Sequence, residues 1–276
     1  MSLTEALVMA VRTDPGKLRS NNEDAVFCDA DLGLAILADG MGGYNAGEVA
    51  SGMATTLLAD GLGRAVGDTG SLVIDDVGTR SAHLQLLELI DDANAEIYFA
   101  AQSDFRYFGM GTTLVVAWFY DNCLTVAHIG DSRLYRLRGE SLVRVTRDHS
   151  LLQEQLDSGM ITPAQARAFH SRNLVTRALG VEPVVEPEMQ DVEVQAGDVY
   201  LLCSDGLSDM VDDGEIAEVL REFGDDPAIA ADRLVEMAND NGGRDNISVI
   251  LVKVRGDFPA AAGRWQRLLS RFGQDR

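Results

Sequence analysis

Residues 113–145 read TLVVAWFYDNCLTVAHIGDSRLYRLRGESLVRV, and this stretch decides the fold class. Two apolar runs, Thr113–Tyr120 and Leu124–Ile129, flank the turn pair Asp121-Asn122. Two more, Arg133–Arg138 and Leu142–Val145, flank Gly139-Glu140. Short β-prone runs joined by two-residue turns predict consecutive antiparallel hairpins. The pattern extends outward on both sides. Upstream, Leu7–Arg12, Ala25–Cys28 and Leu32–Ala38 are strand-like, with a turn at Asp14-Pro15-Gly16. Downstream, Val192–Val194, Val199–Cys203 and Ile247–Val254 return to strand character.

Between these runs the apolar period changes from two to about 3.6. Residues 47–62 carry a stripe of Val49, Met53 and Leu57, and residues 83–101 one of Leu86, Ile90, Ala93 and Ile97. Further helices are predicted at 213–222 and 227–239, and a helical stretch at 150–170 with Thr162 as N-cap and Pro163 at its first position. Residues 64–80 read as a loop. Helices grouped in pairs between runs of antiparallel strands give an α+β pattern, not alternating βαβ, and two packed sheets with helices outside accommodate both pairs.

Composition excludes several functions. The 276 residues are 46% hydrophobic and 24% charged, an ordinary globular mix. The net charge of −21 repels nucleic-acid backbones and anionic membranes, so no nucleic-acid partner is expected. No run reaches a membrane span, and the acidic N-terminus lacks a signal-peptide n-region, so a cytoplasmic location is expected. Cys28, Cys123 and Cys203, odd in number and without a CxxC pair, read as buried free thiols. Residues 255–276 carry five Arg and two Asp, a net +3. Trp265, Leu268, Leu269 and Phe272 there form a short basic amphipathic helix, read as either packed on the domain or docking a partner.

The chemistry lies in where the acidic residues fall. Asp39, Asp131, Asp205 and Asp245 each sit where an apolar strand meets a loop. Singly, each is an ordinary turn or cap residue; Asp209, for instance, would cap the helix at 213–222. Together, carboxylates gathered at one end of a sheet repel unless a cation holds them, and oxygen ligands without His or Cys point to Mg²⁺ or Mn²⁺. The glycines of 40–47 lack a Gly-Lys-Ser/Thr phosphate loop; Gly40 instead lets a backbone carbonyl approach a metal.

Eight stretches in order carry a specific resemblance: Arg19-Ser-Asn-Asn-Glu-Asp24, Ala38-Asp-Gly-Met-Gly-Gly43, Gly109-Met-Gly-Thr-Thr113, Gly130-Asp-Ser-Arg133, Asp148-His-Ser150, Arg172-Asn-Leu-Val-Thr-Arg-Ala-Leu-Gly180, Ser204-Asp-Gly-Leu-Ser-Asp209 and Gly243-Arg-Asp-Asn-Ile-Ser248. The chain resembles the bacterial metal-dependent Ser/Thr protein phosphatases of type 2C over roughly residues 8–254. The resemblance implies a four-layer αββα fold, an antiparallel β-sandwich flanked by helix pairs, with a small flap at about 150–180. It implies a catalytic domain at 1–254 and places the basic tail of 255–276 outside it. It implies a Mn²⁺ or Mg²⁺ centre of two ions, with a third held by Asp131 and Asp209 together with Asp205. Asp39 would bridge the two ions, Gly40 would offer its carbonyl, Asp205 and Asp245 would complete the shell, and Glu23 and Asp24 would lie beside it. Arg19 would hold the substrate phosphate. A metal-bridging hydroxide would then hydrolyse phosphoserine and phosphothreonine in proteins, opposing a Ser/Thr kinase, and a monomer is expected.

Two departures stand out. Met41 occupies the place where animal relatives carry histidine, which removes a histidine general acid. His170-Ser171 replaces the usual His-Pro of the flap. His128 reads as a core histidine and His149 as a residue of the flap entrance. A pseudophosphatase that only recognises phosphoproteins would be expected to have lost metal carboxylates, and Asp39, Asp205 and Asp245 are all present.

Overall fold

The computed structural model describes residues 1–43, 46–69, 81–162, 165–166 and 174–259. A one-turn helix α1 (Leu3–Ala6) leads into strands β1 (Leu7–Asp14), β2 (Asp24–Asp29) and β3 (Leu34–Met41). Helices α2 (Ala46–Thr69) and α3 (Ser81–Ser103) follow, then the short β4 (Gly111–Thr112). The hairpins come next: β5 (Leu114–Tyr120), β6 (Cys123–Ile129), β7 (Arg133–Arg138) and β8 (Ser141–Arg144). After α4 (Leu151–Asp157) come β9 (Glu188–Glu193), β10 (Val199–Cys203), α5 (Asp205–Ser208), α6 (Asp213–Phe223), α7 (Pro227–Asp240) and β11 (Ile247–Val254).

The strands form two antiparallel sheets. One has the order β1-β11-β10-β7-β8; the other runs β2-β3-β5-β6-β9, with β4 on β3. The inner faces meet in a core that includes Leu37, Val115, Phe119, Val126, Leu134, Tyr200, Leu202 and Ile250. Outside the second sheet, α2 and α3 cover Ile36, Val116, Trp118 and Ile129; outside the first, α6 and α7 cover Leu201, Val249 and Leu251. This is the expected four-layer α+β sandwich. β5 and β6 are buried on both faces, which is why they read as continuous apolar runs. Each fully buried Leu, Val or Phe contributes about 1.5–3 kcal/mol relative to exposure. Asp121 and Asn122 take φ of 46° and 54° in the β5–β6 turn, the conformation a two-residue hairpin requires.

Several boundaries differ from the sequence reading. The helix expected to end at residue 62 continues to Thr69, so the first part of the predicted 64–80 loop is helical. The helical stretch expected at 150–170 is broken: α4, capped by Ser150, ends at Asp157, and helix resumes at residues 165–166. Thr162 does begin a new turn there: its hydroxyl accepts the Gln165 N–H (3.3 Å) and its N–H donates to Gln165 Oε1 (2.8 Å). Pro163, His170 and Ser171 lie outside the described residues, as do Trp265, Leu268, Leu269 and Phe272. β9 begins four residues before the predicted strand because it is a polar edge strand without apolar alternation. Asp209 does not cap the helix at 213; Asp212 does, accepting from the Gly214 and Glu215 N–H groups (2.8 and 2.9 Å). Cys28 is half-buried, unlike Cys123 and Cys203. Core packing runs past residue 254 to Phe258, which is buried and donates its N–H to Asn122 Oδ1 (2.6 Å).

Candidate active site

Strand register gathers the candidate residues at one end of the sandwich. Asp24, at the start of β2, is paired directly with Asp39 near the end of β3. β6 ends at Ile129 opposite Leu114, and the Gly130–Ser132 turn leads into β7. Cys203, at the end of β10, pairs with both Arg133 and Val249, which places Asp205 beside the Asp245-Asn246 loop that enters β11. Asp14, last residue of β1, pairs with Ile247 at the same end.

Polar side chains fix these positions. Asp39 donates its N–H to Thr113 Oγ1 (3.0 Å), and its carbonyl accepts from the Thr112 hydroxyl (2.9 Å) and the Thr113 N–H (2.8 Å). The Thr113 and Ser132 hydroxyls bond at 2.8 Å, linking Asp39 to the Asp131 loop. The Ser204 hydroxyl donates to Asp24 Oδ2 (2.9 Å). Asn246 holds the segment carrying Arg19: its amide donates to the carbonyls of Pro15 (3.0 Å) and Asn21 (2.8 Å), and its Oδ1 accepts the Glu23 N–H (2.8 Å). Arg19 Nη2 donates to Asp245 Oδ2 (2.7 Å) while half its side chain stays exposed. At Gly40 a Cβ would lie 2.1 Å from the Gly47 carbonyl oxygen and 2.6 Å from that of Glu23, so only glycine permits this approach.

The electrostatics are those of an under-neutralised anionic cluster. Burial, then repulsion from Asp24, Asp205, Asp131 and Asp245, pushes the Asp39 carboxyl well above the usual range. Asp205 is raised in the same way, by burial and then by Asp131, Asp209, Asp245 and Asp24. Asp24 and Asp131 are each pushed up to about 6, chiefly by burial, and Glu23 is raised by burial as well. Asp24 Oδ1 is buried with no hydrogen-bond partner, although its other oxygen is satisfied. A buried carboxylate oxygen without a partner, among mutually repelling carboxylates, is what a hard divalent cation needs. The oxygen-only donor set therefore fits Mg²⁺ or Mn²⁺.

All the sequence-predicted residues, Arg19, Glu23, Asp24, Asp39, Gly40, Asp131, Asp205, Asp209 and Asp245, fall at this one end. The supporting hydroxyls and amide, Thr112, Thr113, Ser204 and Asn246, were not singled out from sequence. Ser204 and Asn246 carry a signal of adjacency, each beside a strand-end Asp, while Thr112 and Thr113 carry none; all four are buried. A separate group of metal-capable donors lies beside α4. His128, His149 and Glu188 have ligand atoms within 4.8 Å of one another. His128 is fully buried, as expected of a core histidine, and stacks on His149 at 4.8 Å.

A four-layer α+β sandwich with carboxylates clustered at one end defines a class, the metal-dependent protein phosphatases. Solved structures of that class match this chain. The catalytic domain of the serine/threonine phosphatase PstP, in complex with two manganese ions, matches with a TM-score of 0.76 at 40% identity, covering 91% of this chain and 99% of that one. Stp1 of Staphylococcus aureus matches with a TM-score of 0.79 at 33% identity, covering 93% and 98%. The serine/threonine phosphatase stp of Listeria monocytogenes is 41% identical over 245 residues, 88% of this chain and 94% of that protein. Full-length PstP of Mycobacterium tuberculosis is 42% identical over 253 residues, 91% of this chain but 46% of its own length. The family model for protein phosphatase 2C matches residues 18–240. The chain belongs to the protein phosphatase 2C family, whose relatives here are Ser/Thr phosphatases.

Proposed function

We propose that this protein hydrolyses phosphoserine and phosphothreonine in proteins at the carboxylate end of the sandwich, with Mn²⁺ or Mg²⁺ as cofactor. One observation carries the reading: Asp24, Asp39 and Asp205 are half-buried together at one end of the sandwich, and desolvation and mutual repulsion disfavour their ionised forms without a cation. In this reading Asp39, Asp205 and Asp245, with the Gly40 carbonyl, hold two ions, and Glu23 and Asp24 stand beside them. The Mn²⁺-bound PstP domain supports the count. When bound, the ions supply Lewis-acid activation of water and neutralise charge on the phosphoryl oxygens.

The chain's own groups do the rest. Arg19 keeps guanidinium N–H groups free of the Asp245 contact, and a guanidinium fork suits a phosphate dianion. Thr113 and Ser132 keep Asp39 and the Asp131 turn in fixed relation, so no reorganisation is needed as charge shifts. Met41 has no proton to give, so the leaving alkoxide must be protonated from elsewhere. Asp131, with Asp209 and Asp205, is the proposed holder of a third ion that serves this need. The domain would span 1–254 and extend to Phe258, with the flap at about 150–180 and the tail beyond. The substrates would be phosphoproteins made by a partner Ser/Thr kinase, and the free thiols fit a cytoplasmic setting.

Phosphate release from a phosphothreonine peptide with Mn²⁺, with and without chelator, tests the reading. Activity is expected only with the metal; turnover that survives chelation overturns it. Asp131→Ala is expected to cost a phosphopeptide at least about tenfold more than an aryl phosphate, a modest part of the usual general-acid range. Equal losses on both substrates would remove the third ion from the scheme.

A further inference from the structure

We propose that His149 is a positioning residue whose ring holds the Gly130 peptide, and with it the Asp131 turn, against the root of the 150–180 segment. This rests on the reading of Asp131 given above, but its anchoring part stands on geometry alone. Gly130 has φ of 100°, and a Cβ there would lie 2.7 Å from Thr113 Cγ2, so the chain turns toward Asp131 at a point only glycine allows. Both of its backbone groups go to His149. The Gly130 N–H donates to His149 Nδ1 (3.2 Å), and the Gly130 carbonyl accepts the His149 N–H (2.8 Å).

His149 also reaches the returning chain. Its carbonyl accepts the Thr176 N–H (2.8 Å), Ser150 pairs with Val175, and the Leu151 N–H donates to the Leu174 carbonyl (2.9 Å). One residue therefore joins the Asp131 turn, the start of α4 and the strand-like return at 174–176. The far side of the turn has its own anchor, the Arg133–Asp148 fork, with Nε to Oδ1 at 3.0 Å and Nη2 to Oδ2 at 2.7 Å.

The imidazole is fixed in orientation and tautomer. It stacks on His128, whose Nε2–H donates to the Arg147 carbonyl (2.8 Å). Accepting from Gly130 needs the Nδ1 lone pair, which leaves the hydrogen on Nε2, facing Glu188 Oε2 at 3.5 Å. That tautomer turns an N–H toward Glu188, and in this state His128, His149 and Glu188 act together as a buttress for the Gly130 turn. Burial, then His128 and Arg177, holds the His149 imidazolium down to about 4, which keeps Nδ1 an acceptor at neutral pH.

Two substitutions in the full-length protein separate anchoring from bulk. His149→Asn keeps an acceptor near the Nδ1 position; His149→Leu keeps volume without one. In metal-free protein, exchange of the Gly130 amide is expected to rise at least about tenfold in His149→Leu and to stay near wild type in His149→Asn. In calorimetric Mn²⁺ titrations the weakest site is expected to lose about tenfold in affinity in His149→Leu only, the usual effect of losing a group behind a ligand. Phosphopeptide rates of the two variants should converge at saturating Mn²⁺. If His149→Leu does not fold, His149→Gln, whose amide reaches past Gly130, takes its place. Equal behaviour of the acceptor-keeping and acceptor-lacking variants overturns the proposal. So does unchanged Gly130 exchange in the acceptor-lacking variant. Asp131→Ala is the reference: if it leaves the weakest Mn²⁺ site intact, the third-ion reading fails, while the exchange result still decides whether His149 anchors the turn.

Discussion

The two ends of the sandwich treat buried carboxylates in opposite ways. At the end away from the site, Asp198 is almost fully buried and fully answered. Arg138 donates to both its oxygens (Nε to Oδ1 2.8 Å, Nη2 to Oδ2 2.7 Å), and the Gln195 N–H and Tyr200 hydroxyl add bonds at 2.9 and 3.1 Å. At the site end, Asp24 and Asp39 face each other across a strand pair, and the groups raising Asp39 are other carboxylates. The fold thus has the means to neutralise a buried Asp with its own arginine and does so at one end. The other end is built to need a cation from outside.

This contrast can be broken most sharply at Asp205. Asp205→Asn keeps the shape and removes one charge, and kcat on a phosphopeptide is expected to fall about 10²-fold or more. The same variant should melt higher than wild type in chelator, because repulsion falls. Near-normal turnover at saturating Mn²⁺ would remove Asp205 from the centre. At the opposite end the signs reverse. Arg138→Met leaves Asp198 buried without its cation, and a loss of about 2–3 kcal/mol is expected in chelator, at the low side for a buried pair because Arg138 reaches solvent. Chemical denaturation measures this, and Mn²⁺-dependent activity of the folded fraction should be unaffected.

How much of this was legible follows from the same contrast. The placement of Asp39, Asp205 and Asp245 at one end of the sandwich was legible because each stands where an apolar strand meets a loop. The roles of Thr113, Ser204 and Asn246 were not. A hydroxyl's role depends on which strand lies beside it, and only the register shows that Thr113 touches both Asp39 and Ser132. β9 was misplaced because Glu188, Gln190, Asp191 and Glu193 leave this edge strand without a regular apolar alternation. The extension of α2 was missed because residues 64–69, with Gly67 and Asp68 among them, read as part of a loop. At Gly61 a Cβ would lie 2.3 Å from Leu89 Cδ2, so the glycine there admits the neighbouring helix. His149 gave no local sign of its partner, which is 19 residues away.

pH sharpens the comparison further. Asp24 and Asp131 lie at about 6 in the folded protein against an ordinary value near ~4 in the unfolded chain. Between those values the native state binds more protons than the unfolded one, so stability present at low pH is lost as pH rises through about 6. Metal-free protein is expected to melt at least about 3 °C higher at pH 5 than at pH 7.5. Saturating Mn²⁺ should remove or invert the difference, since cation and proton compete for the same oxygens. A metal-free melting point that rises from pH 5 to 7.5 would contradict the burial of these carboxylates. The smallest effect is expected beyond the core. Deleting residues 260–276 should leave aryl phosphate turnover within about twofold. A deletion that also takes Phe258 should lower the melting temperature, because that ring packs between the sheets.

Asn246 has a consequence for motion. One carboxamide holds the chain at Pro15, Asn21 and Glu23, and the Gly243 carbonyl accepts from the Lys17 and Leu18 N–H groups (2.7 and 3.2 Å), so the loop that bears Arg19 is tied at several points to the 243–246 segment. Such a loop opens as one cooperative unit and not residue by residue. When those ties let go, Arg19 and Glu23 leave together. Under the roles proposed above, phosphate binding and the acidic rim would share one local unfolding event and one rate of opening.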